Sequence, residues 1–159
     1  MAQEERDTTG AEELQLVSFI ILGRRLGVDI TRVREIIREQ EVTKVPQSPP
    51  FLEGVINLRG QVIPVIDMPR RFGLQGQKHT KSTRIVVLEI KDMVVGFVVD
   101  SVSEVMRIPA SIVQETPSVI SGAGSQFIQG IAQVNDRLLI VLEADSLLDE
   151  QELSQLEGL

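Results

Sequence analysis

The chain has 159 residues, which suits one compact domain or two small ones that share a core. A formal net charge of −7 and the lack of cysteine argue against a nucleic-acid binder, an anionic membrane surface, disulfides and thiolate metal sites. No apolar run approaches the ~20 residues of a membrane helix, and the polar, acidic N-terminus differs from a signal peptide. We therefore expect a cytoplasmic protein without direct membrane insertion.

The start of the chain predicts a tail, two strands and a short helix. Residues 1–13 carry five acidic side chains and few apolar ones, so we expect them to be disordered. The apolar segments 14–22 and 26–30 predict buried strands joined by a turn at Gly23. A short helix is expected next, because the following apolar residues share one helical face: Ile30, Val33, Ile36 and Ile37.

Residues 54–67, with the sequence GVINLRGQVIPVID, predict a β-hairpin that turns at Arg59-Gly60. Both ends of the segment are apolar and β-branched, which is typical of strands. Pro64 has no N–H to donate to a ladder, so we expect the second strand at a sheet edge or a bulge. The polar, basic segment 68–83 predicts a surface connection.

The second half predicts a similar series. Residues 84–90 and 93–100 predict two strands around a Lys91-Asp92 turn, and residues 127–148 contain two apolar runs around Asn135-Asp136. Residues 145–159 are rich in leucine and predict a helix that packs on the body. Between these segments a second short helix is expected, with one apolar face and the spacing of a capping box; the residues are Val102, Val105 and Met106, and Ser101 and Glu104.

The two halves have the pattern of one repeated unit. Residues 27–38 align with 96–107, and residues 54–67 with 130–143, without a gap. Each unit contains about five strands if its loop adds one, the natural count for a small closed barrel. We predict a mainly β fold of two packed five-stranded β-barrels, one from residues 14–80 and one from residues 81–148. A short helix follows the second strand of each unit, and a C-terminal helix completes the fold. The sequence does not indicate whether the barrels exchange edge strands.

No pattern indicates an enzyme or a cofactor site. His79 is the only histidine, and metal sites need several His, Cys or clustered carboxylates. Asp67, Asp100 and Glu104 are candidate acid–base groups, yet each has a structural explanation as a strand end, a helix cap or a capping-box partner. The glycine-rich segment 121–125 lacks the lysine of a phosphate-binding loop and predicts a flexible connection. We expect no catalytic activity, no cofactor and no metal.

Arg59 has two interpretations of equal weight. Its counterpart in the second unit is Asn135, so the turn itself does not require a guanidinium. Arg59 is either a solvated turn residue or a polar anchor beside an apolar groove, formed by the segment near Val33 and Ile36 and by the second barrel.

Four segments resemble the CheW family of bacterial chemotaxis adaptors: GVDITRVREII, PPFLEGVINLRGQVIPVIDM, VVGFVVDSVSEVMRI and GIAQVNDRLLIVL. The resemblance extends over residues 14–148 and implies two β-barrel subdomains with a hydrophobic cleft between them. It also implies a non-catalytic adaptor that joins the cytoplasmic tip of a methyl-accepting chemotaxis receptor to the regulatory domain of the histidine kinase CheA.

The resemblance implies a receptor-binding surface, here carried over by match to the family's motifs. Its residues are Val33, Glu35, Ile36, Asn57, Arg59 and Gly60, with Val99 and Val102 lining the cleft from the second barrel. Kinase contacts are implied on exposed barrel edges, with no residues assigned. Two alternatives remain: the same adaptor in a parallel pathway such as type IV pilus motility, and a small-ligand-binding or enzymatic double barrel, which needs a pocket with convergent polar groups.

Overall fold

The computed structural model describes residues 12–71, 79–115 and 127–159. The strands in these ranges are β1 (Glu13–Ile21), β2 (Arg24–Asp29), β3 (Val33–Arg38), β4 (Leu52–Leu58), β5 (Gln61–Asp67), β6 (Arg84–Ile90), β7 (Met93–Val99), β8 (Ser101–Pro109), β9 (Ile128–Val134) and β10 (Arg137–Leu142). The α-helices are α1 (Met68–Arg71) and α2 (Glu150–Glu157), and short 3-10 turns span Ile30–Arg32, Ala110–Ile112 and Ala144–Ser146. The predicted flexible connection at residues 121–125, and residues 1–11 of the predicted tail, lie outside the described residues.

The strands form two five-stranded sheets. Sheet A has the order β8-β1-β2-β10-β9, and sheet B has the order β3-β6-β7-β5-β4. The pairs β2–β10 and β5–β7 are parallel, and the other ladders are antiparallel. The prediction of a mainly β fold with two five-stranded subdomains and a C-terminal helix is confirmed.

Each sheet takes strands from both halves of the chain, so the predicted division into one barrel from residues 14–80 and one from residues 81–148 is wrong. Sheet A combines β1 and β2 with β8, β9 and β10, while sheet B combines β3, β4 and β5 with β6 and β7. Replacing every strand of sheet A by its repeat counterpart gives the strand order of sheet B. The two sheets are therefore related by the sequence repeat, and the chain crosses between them at residues 29–33 and again at residues 99–101.

The two segments predicted to be short helices are strands, so that part of the prediction is wrong. A single 3-10 turn follows β2, and the residues after it pair as β3 with β6; β8 pairs in the same way with β1. Val105 is 55% exposed while Met106 is 8% exposed, which is the alternation of a strand rather than one helical face. Backbone pairing at a sheet edge has overridden a helical spacing of apolar residues.

The expected capping box of Ser101 and Glu104 does not form, because neither residue lies at a helix start. Instead the backbone of Glu104 bonds to the buried hydroxyl of Ser18 on β1. The Ser18 hydroxyl donates to the Glu104 carbonyl at 2.8 Å, and its Oγ accepts from the Glu104 N–H at 3.1 Å. This side chain replaces ladder bonds where the β1–β8 register shifts, between Val17 and Phe19.

Apolar side chains form three cores. One lies within sheet A, around Leu16 and Leu139, and one within sheet B, around Ile56 and Ile85. The third and largest lies between the sheets and joins them to the C-terminal segment; it includes Phe19, Phe97, Met68, Leu147, Leu148, Leu153 and Leu156. The expectation that the C-terminal leucines pack on the body is confirmed. Met68, predicted in a surface connection, is wholly buried because it fills this central core.

The C-terminal helix begins later than predicted. The chain forms a 3-10 turn at Ala144–Ser146, and α2 starts after Asp149. The Asp149 side chain accepts from the Glu152 N–H at 2.7 Å, and the Glu152 side chain accepts from the Asp149 N–H at 2.9 Å. This reciprocal capping box fixes the start of the helix.

Strand β5 is internal, so the expected edge position of Pro64 is wrong. Its antiparallel partner is β4, where Pro64 faces Val55, and its parallel ladder with β7 begins only at Val65. Pro64 therefore lies where β5 is paired on one side, and its missing N–H is tolerated. The bulge in this hairpin is on β4, between Leu52 and Gly54.

The predicted tail also ends earlier than residue 13. Glu13 already pairs with Pro109 as the first residue of β1, and the Glu12 carbonyl accepts from the Ala110 N–H at 2.8 Å. These backbone bonds to the end of β8 extend the sheet to the last residues of the acidic segment.

Candidate binding surface

The β4–β5 turn has a backbone that restricts its two central residues. Arg59 and Gly60 have φ angles of 52° and 86°, the arrangement of a type I′ turn. The Asn57 side chain accepts from the Gly60 N–H at 2.8 Å and closes the turn. Asn135 has a φ of 51° at the matching position of the β9–β10 turn. Because asparagine enters this left-handed region more readily than arginine, turn geometry does not explain the choice of Arg59.

The Arg59 side chain forms a two-pronged ion pair with Glu35 on β3. One guanidinium nitrogen, Nη1, donates to Oε1 at 3.3 Å, and Nη2 donates to Oε2. Since β3 and β4 are the two edge strands of sheet B, the pair joins opposite edges of the sheet, which therefore curls. The Arg59 side chain is 71% exposed and that of Glu35 is 30% exposed, so the pair is accessible to a partner.

The hydrogen bond from Arg59 lowers the pKa of Glu35, against the opposing effect of partial desolvation. The same bond raises the pKa of Arg59. Both groups are therefore charged at neutral pH, and the pair is lost only under acidic conditions where Glu35 protonates.

Ile36 adds an exposed apolar side chain next to Glu35 along β3. It is 40% exposed, whereas the neighbouring inward positions Val33 and Ile37 are half-buried and pack on the cores. After a register shift between Val33 and Glu35, Glu35 pairs with Val87 and Ile36 with Val86 on β6, so the side chains of Glu35 and Ile36 lie on opposite faces of β3. We call the group of Glu35, Ile36, Asn57, Arg59 and Gly60 the tip surface.

The three remaining predicted receptor residues lie in or against the central core. Val33 and Val102 are half-buried and pack on it, at equivalent positions just after the two crossings between the sheets. Val99 has no exposed surface and is part of this core. In this conformation Val99 offers no side-chain atoms to a partner.

The candidate acid–base carboxylates have structural partners. Asp67 is 1% exposed and accepts from the Arg70 N–H at 3.1 Å, in line with its predicted position at a strand end. Asp100 accepts from the Leu22 N–H at 2.7 Å and so holds the β1–β2 turn rather than a helix. The Glu104 carboxylate lies 3.7 Å from the Arg25 guanidinium, not in a capping box.

The remaining predictions concern His79, metal ligands and membrane helices. His79 contacts the Glu39 carboxylate through Nδ1. Among residues 12–71, 79–115 and 127–159, no three His, Cys, Asp or Glu side chains cluster as metal ligands would. The helices in these ranges are too short and too polar to cross a membrane.

One ion pair between distant parts of the chain was missed by the sequence analysis. Arg32, in the first crossing between the sheets, donates to both oxygens of Asp145 at 2.6 and 2.7 Å. Each side chain is 35% exposed, and the hydrogen bond from Arg32 lowers the pKa of Asp145. The partners are 113 residues apart, and their repeat counterparts have no matching charges, so the sequence carries no signal for this pair.

Two repeat-related sheets, one shared core and an exposed ion-paired turn define a double-sheet β scaffold. The model of the CheW-like domain matches residues 15–152. The chemotaxis protein CheW of Treponema pallidum is 33% identical over 154 residues, covering 93% of this chain and 89% of that protein. The probable chemotaxis protein CheW of Rhizobium etli is 36% identical over 138 residues, covering 87% and 89%.

A solved structure agrees with these sequence relatives. The scaffolding protein TtCheW from Thermoanaerobacter tengcongensis superposes with a TM-score of 0.80 at 33% identity, covering 89% of this chain and 91% of that one. The chain belongs to the CheW-like domain family.

Proposed function

We propose that this chain is a non-catalytic chemotaxis adaptor that couples methyl-accepting chemotaxis receptors to the histidine kinase CheA in the cytoplasm. Membership of the CheW-like family supports the adaptor role, and the names of the relatives support a place in chemotaxis. The mechanism is geometric: binding both partners at once raises their effective concentration and links their conformations.

The receptor contact in this proposal is the tip surface. The observation that carries it is the orientation of Arg59, whose guanidinium is held by Glu35 although the turn does not need an arginine. A pre-oriented guanidinium combines a planar donor group with an apolar stem, as interface hot spots do, and Ile36 adds exposed apolar area on the other face of β3. Glu35 acts as the positioning residue, since its two oxygens restrict the rotamers of Arg59.

Val33 and Val102 support this surface from the central core in the proposal. Both are partly exposed, so a receptor helix that reaches the cleft between the sheets can contact them. We assign Val99 to the layer beneath, because it has no surface of its own. Kinase contacts are expected at exposed sheet edges away from the tip surface.

The test replaces Arg59 by Glu and compares it with a matched control, Asn135→Glu. Both positions are the first residue of a two-residue turn with nearly the same φ, so each variant places glutamate in the same backbone conformation, and the control bears the larger backbone cost because it removes an asparagine. Receptor-fragment affinity, CheA affinity and melting temperature are measured for both variants. Turn substitutions usually change stability by no more than about 0.5 kcal/mol, so both variants should remain folded.

We expect Arg59→Glu to weaken receptor binding by about 2 kcal/mol or more, roughly 30-fold, with CheA binding retained. The control should bind both partners as the unmodified chain does. If Arg59→Glu lowers receptor affinity, CheA affinity and melting temperature together, Arg59 has a structural role. If receptor affinity is unchanged, the receptor contact lies elsewhere.

A further inference from the structure

Two grooves occupy equivalent positions on the two sheets. The sheet-A groove has a volume of about 600 Å³ and lies where the β1–β2 turn meets β10 and β9; it is lined by Ile20, Gly23, Arg24, Arg25, Ile131, Arg137, Leu138 and Ile140. Seven of these eight residues have a repeat counterpart that lines the sheet-B groove, of about 350 Å³. The fold therefore builds the same depression twice.

The two grooves differ in what covers them. The sheet-B groove is closed on one side by the C-terminal segment, which contributes Leu156, Glu157 and Leu159. The sheet-A groove is lined by strand and turn residues alone in the part of the chain that the structure describes. Its apolar floor includes Leu138, which is 65% exposed.

The grooves also differ in charge at three matched positions. These are Gln61, Met93 and Val94 on sheet B, and Arg137, Arg24 and Arg25 on sheet A. The Arg25 guanidinium lies 3.7 Å from the Glu104 carboxylate, a long ion pair. Arg24 and Arg137 have no ion-pair partner among the described residues. Three arginines around an apolar floor stand out on a chain of net charge −7 and favour an acidic ligand.

The segment that borders the sheet-B groove indicates which kind of segment fits beside this shape. Helix α2 and its flanks have the sequence DEQELSQLEGL, in which Leu156 and Leu159 line the groove, Leu153 packs in the central core, and four side-chain carboxylates lie among the leucines. A segment of this pattern matches the sheet-A groove better than the sheet-B groove that it borders, because its carboxylates would meet the arginines. The chain's own helix is not available, since Leu153 and Leu156 are 8% and 4% exposed in the central core.

We propose that the sheet-A groove is a docking site for an acidic, leucine-bearing amphipathic helix of a partner protein. The site is separate from the tip surface, which belongs to sheet B, and does not depend on the receptor contact proposed above. It would give the scaffold a further attachment point, with apolar contacts in the groove and charge contacts at its rim.

The probe is a synthetic acetylated peptide with the sequence of residues 149–159, titrated into the full chain labelled with ¹⁵N and ¹³C-methyl groups. We expect chemical-shift changes at the Gly23 amide and at the Ile131 and Leu138 methyl groups. Binding should be measurable up to about 1 mM peptide, the effective concentration of a helix on a tethered partner. A peptide carrying serine for both Leu153 and Leu156 should not bind.

Charge reversal locates the site. The double variant Arg24→Glu and Arg137→Glu should weaken peptide binding by about tenfold or more, because attraction at the rim becomes repulsion. Its matched control carries Met93→Glu and Gln61→Glu, the same positions on sheet B, and should bind the peptide normally. Arg59→Glu should bind it normally as well, which separates this result from the receptor test.

Three results would overturn the proposal. The first is no shift in the groove up to about 1 mM peptide. The second is a set of shifts confined to α2 and the sheet-B groove, which means that the peptide displaces the chain's own helix. The third is self-association of the unlabelled chain in sedimentation experiments that the double variant abolishes, which assigns the groove to a second copy of this chain.

Discussion

Exchanging the turn residues of the two hairpins tests whether the position of the guanidinium matters, rather than its charge. The variant Arg59→Asn with Asn135→Arg has the same composition and net charge as the unmodified chain. Both turns keep φ angles near 51–52° at the exchanged position, so the cost of a left-handed arginine moves from one sheet to the other and cancels. The carboxylate of Glu104, the counterpart of Glu35, is 56% exposed on sheet A and can meet the transferred guanidinium.

The free energy of unfolding should therefore change by no more than about 0.5 kcal/mol, since one exposed ion pair replaces another of similar worth. Receptor-fragment affinity should fall by about 2 kcal/mol, or roughly 30-fold, because the tip surface has lost its anchor. Isothermal titration calorimetry measures the affinity and urea unfolding measures the stability. Receptor binding equal to that of the unmodified chain would refute the reasoning, because net charge alone would then explain the contact.

Three further predictions concern the fold. Asp145→Asn should cost about 1 kcal/mol above pH 5. Because Arg32 lowers the carboxylate's pKa in the folded state, the difference in urea titrations should shrink as pH falls below about 4, the unfolded-state value, and vanish only below the lowered folded-state pKa. Gly130→Ala places a Cβ 2.5 Å from the Gln114 carbonyl oxygen and should lower the free energy of unfolding by about 2–3 kcal/mol, because the two hydrogen bonds between Gln114 and Ile131 are lost. The control Gly60→Ala has open space around it and should lower it by about 1 kcal/mol, the cost of alanine at a positive φ. A chain that ends after Lys81 should show no dispersed amide spectrum, because sheet B then lacks β6 and β7; a sharply melting fragment would contradict this.

The hairpins were predictable because their signals are local. Residues 54–67 contain two runs of strand-forming residues on either side of a short turn. The turns predicted at Arg59-Gly60 and Asn135-Asp136 are both present, with positive φ angles. The spacing of apolar residues gave a wrong prediction where pairing with a distant strand decides the secondary structure. The spacing of Val33, Ile36 and Ile37 fits a helix, yet the segment is an edge strand whose partner β6 begins at Arg84.

The candidate site was predictable where the repeat supplied a comparison. Arg59 stood out because its counterpart is Asn135, and the structure pairs it with Glu35, a residue that the family resemblance also assigned. The burial of Val99 was not predictable, because it depends on how the two sheets share one core. The exchange of strands between halves has no local sequence signal for the same reason.

The strand exchange has a consequence for synthesis on the ribosome. Sheet B has all its strands once residue 99 has emerged, but sheet A waits until β10 is complete at residue 142. At about 5–20 residues per second, the β1–β2 hairpin spends several seconds without its partner strand β10. Its side chains Phe19 and Val28, which are later buried, are then exposed. The first element to be made is thus among the last to be completed, and it is the segment for which early chaperone contact matters most.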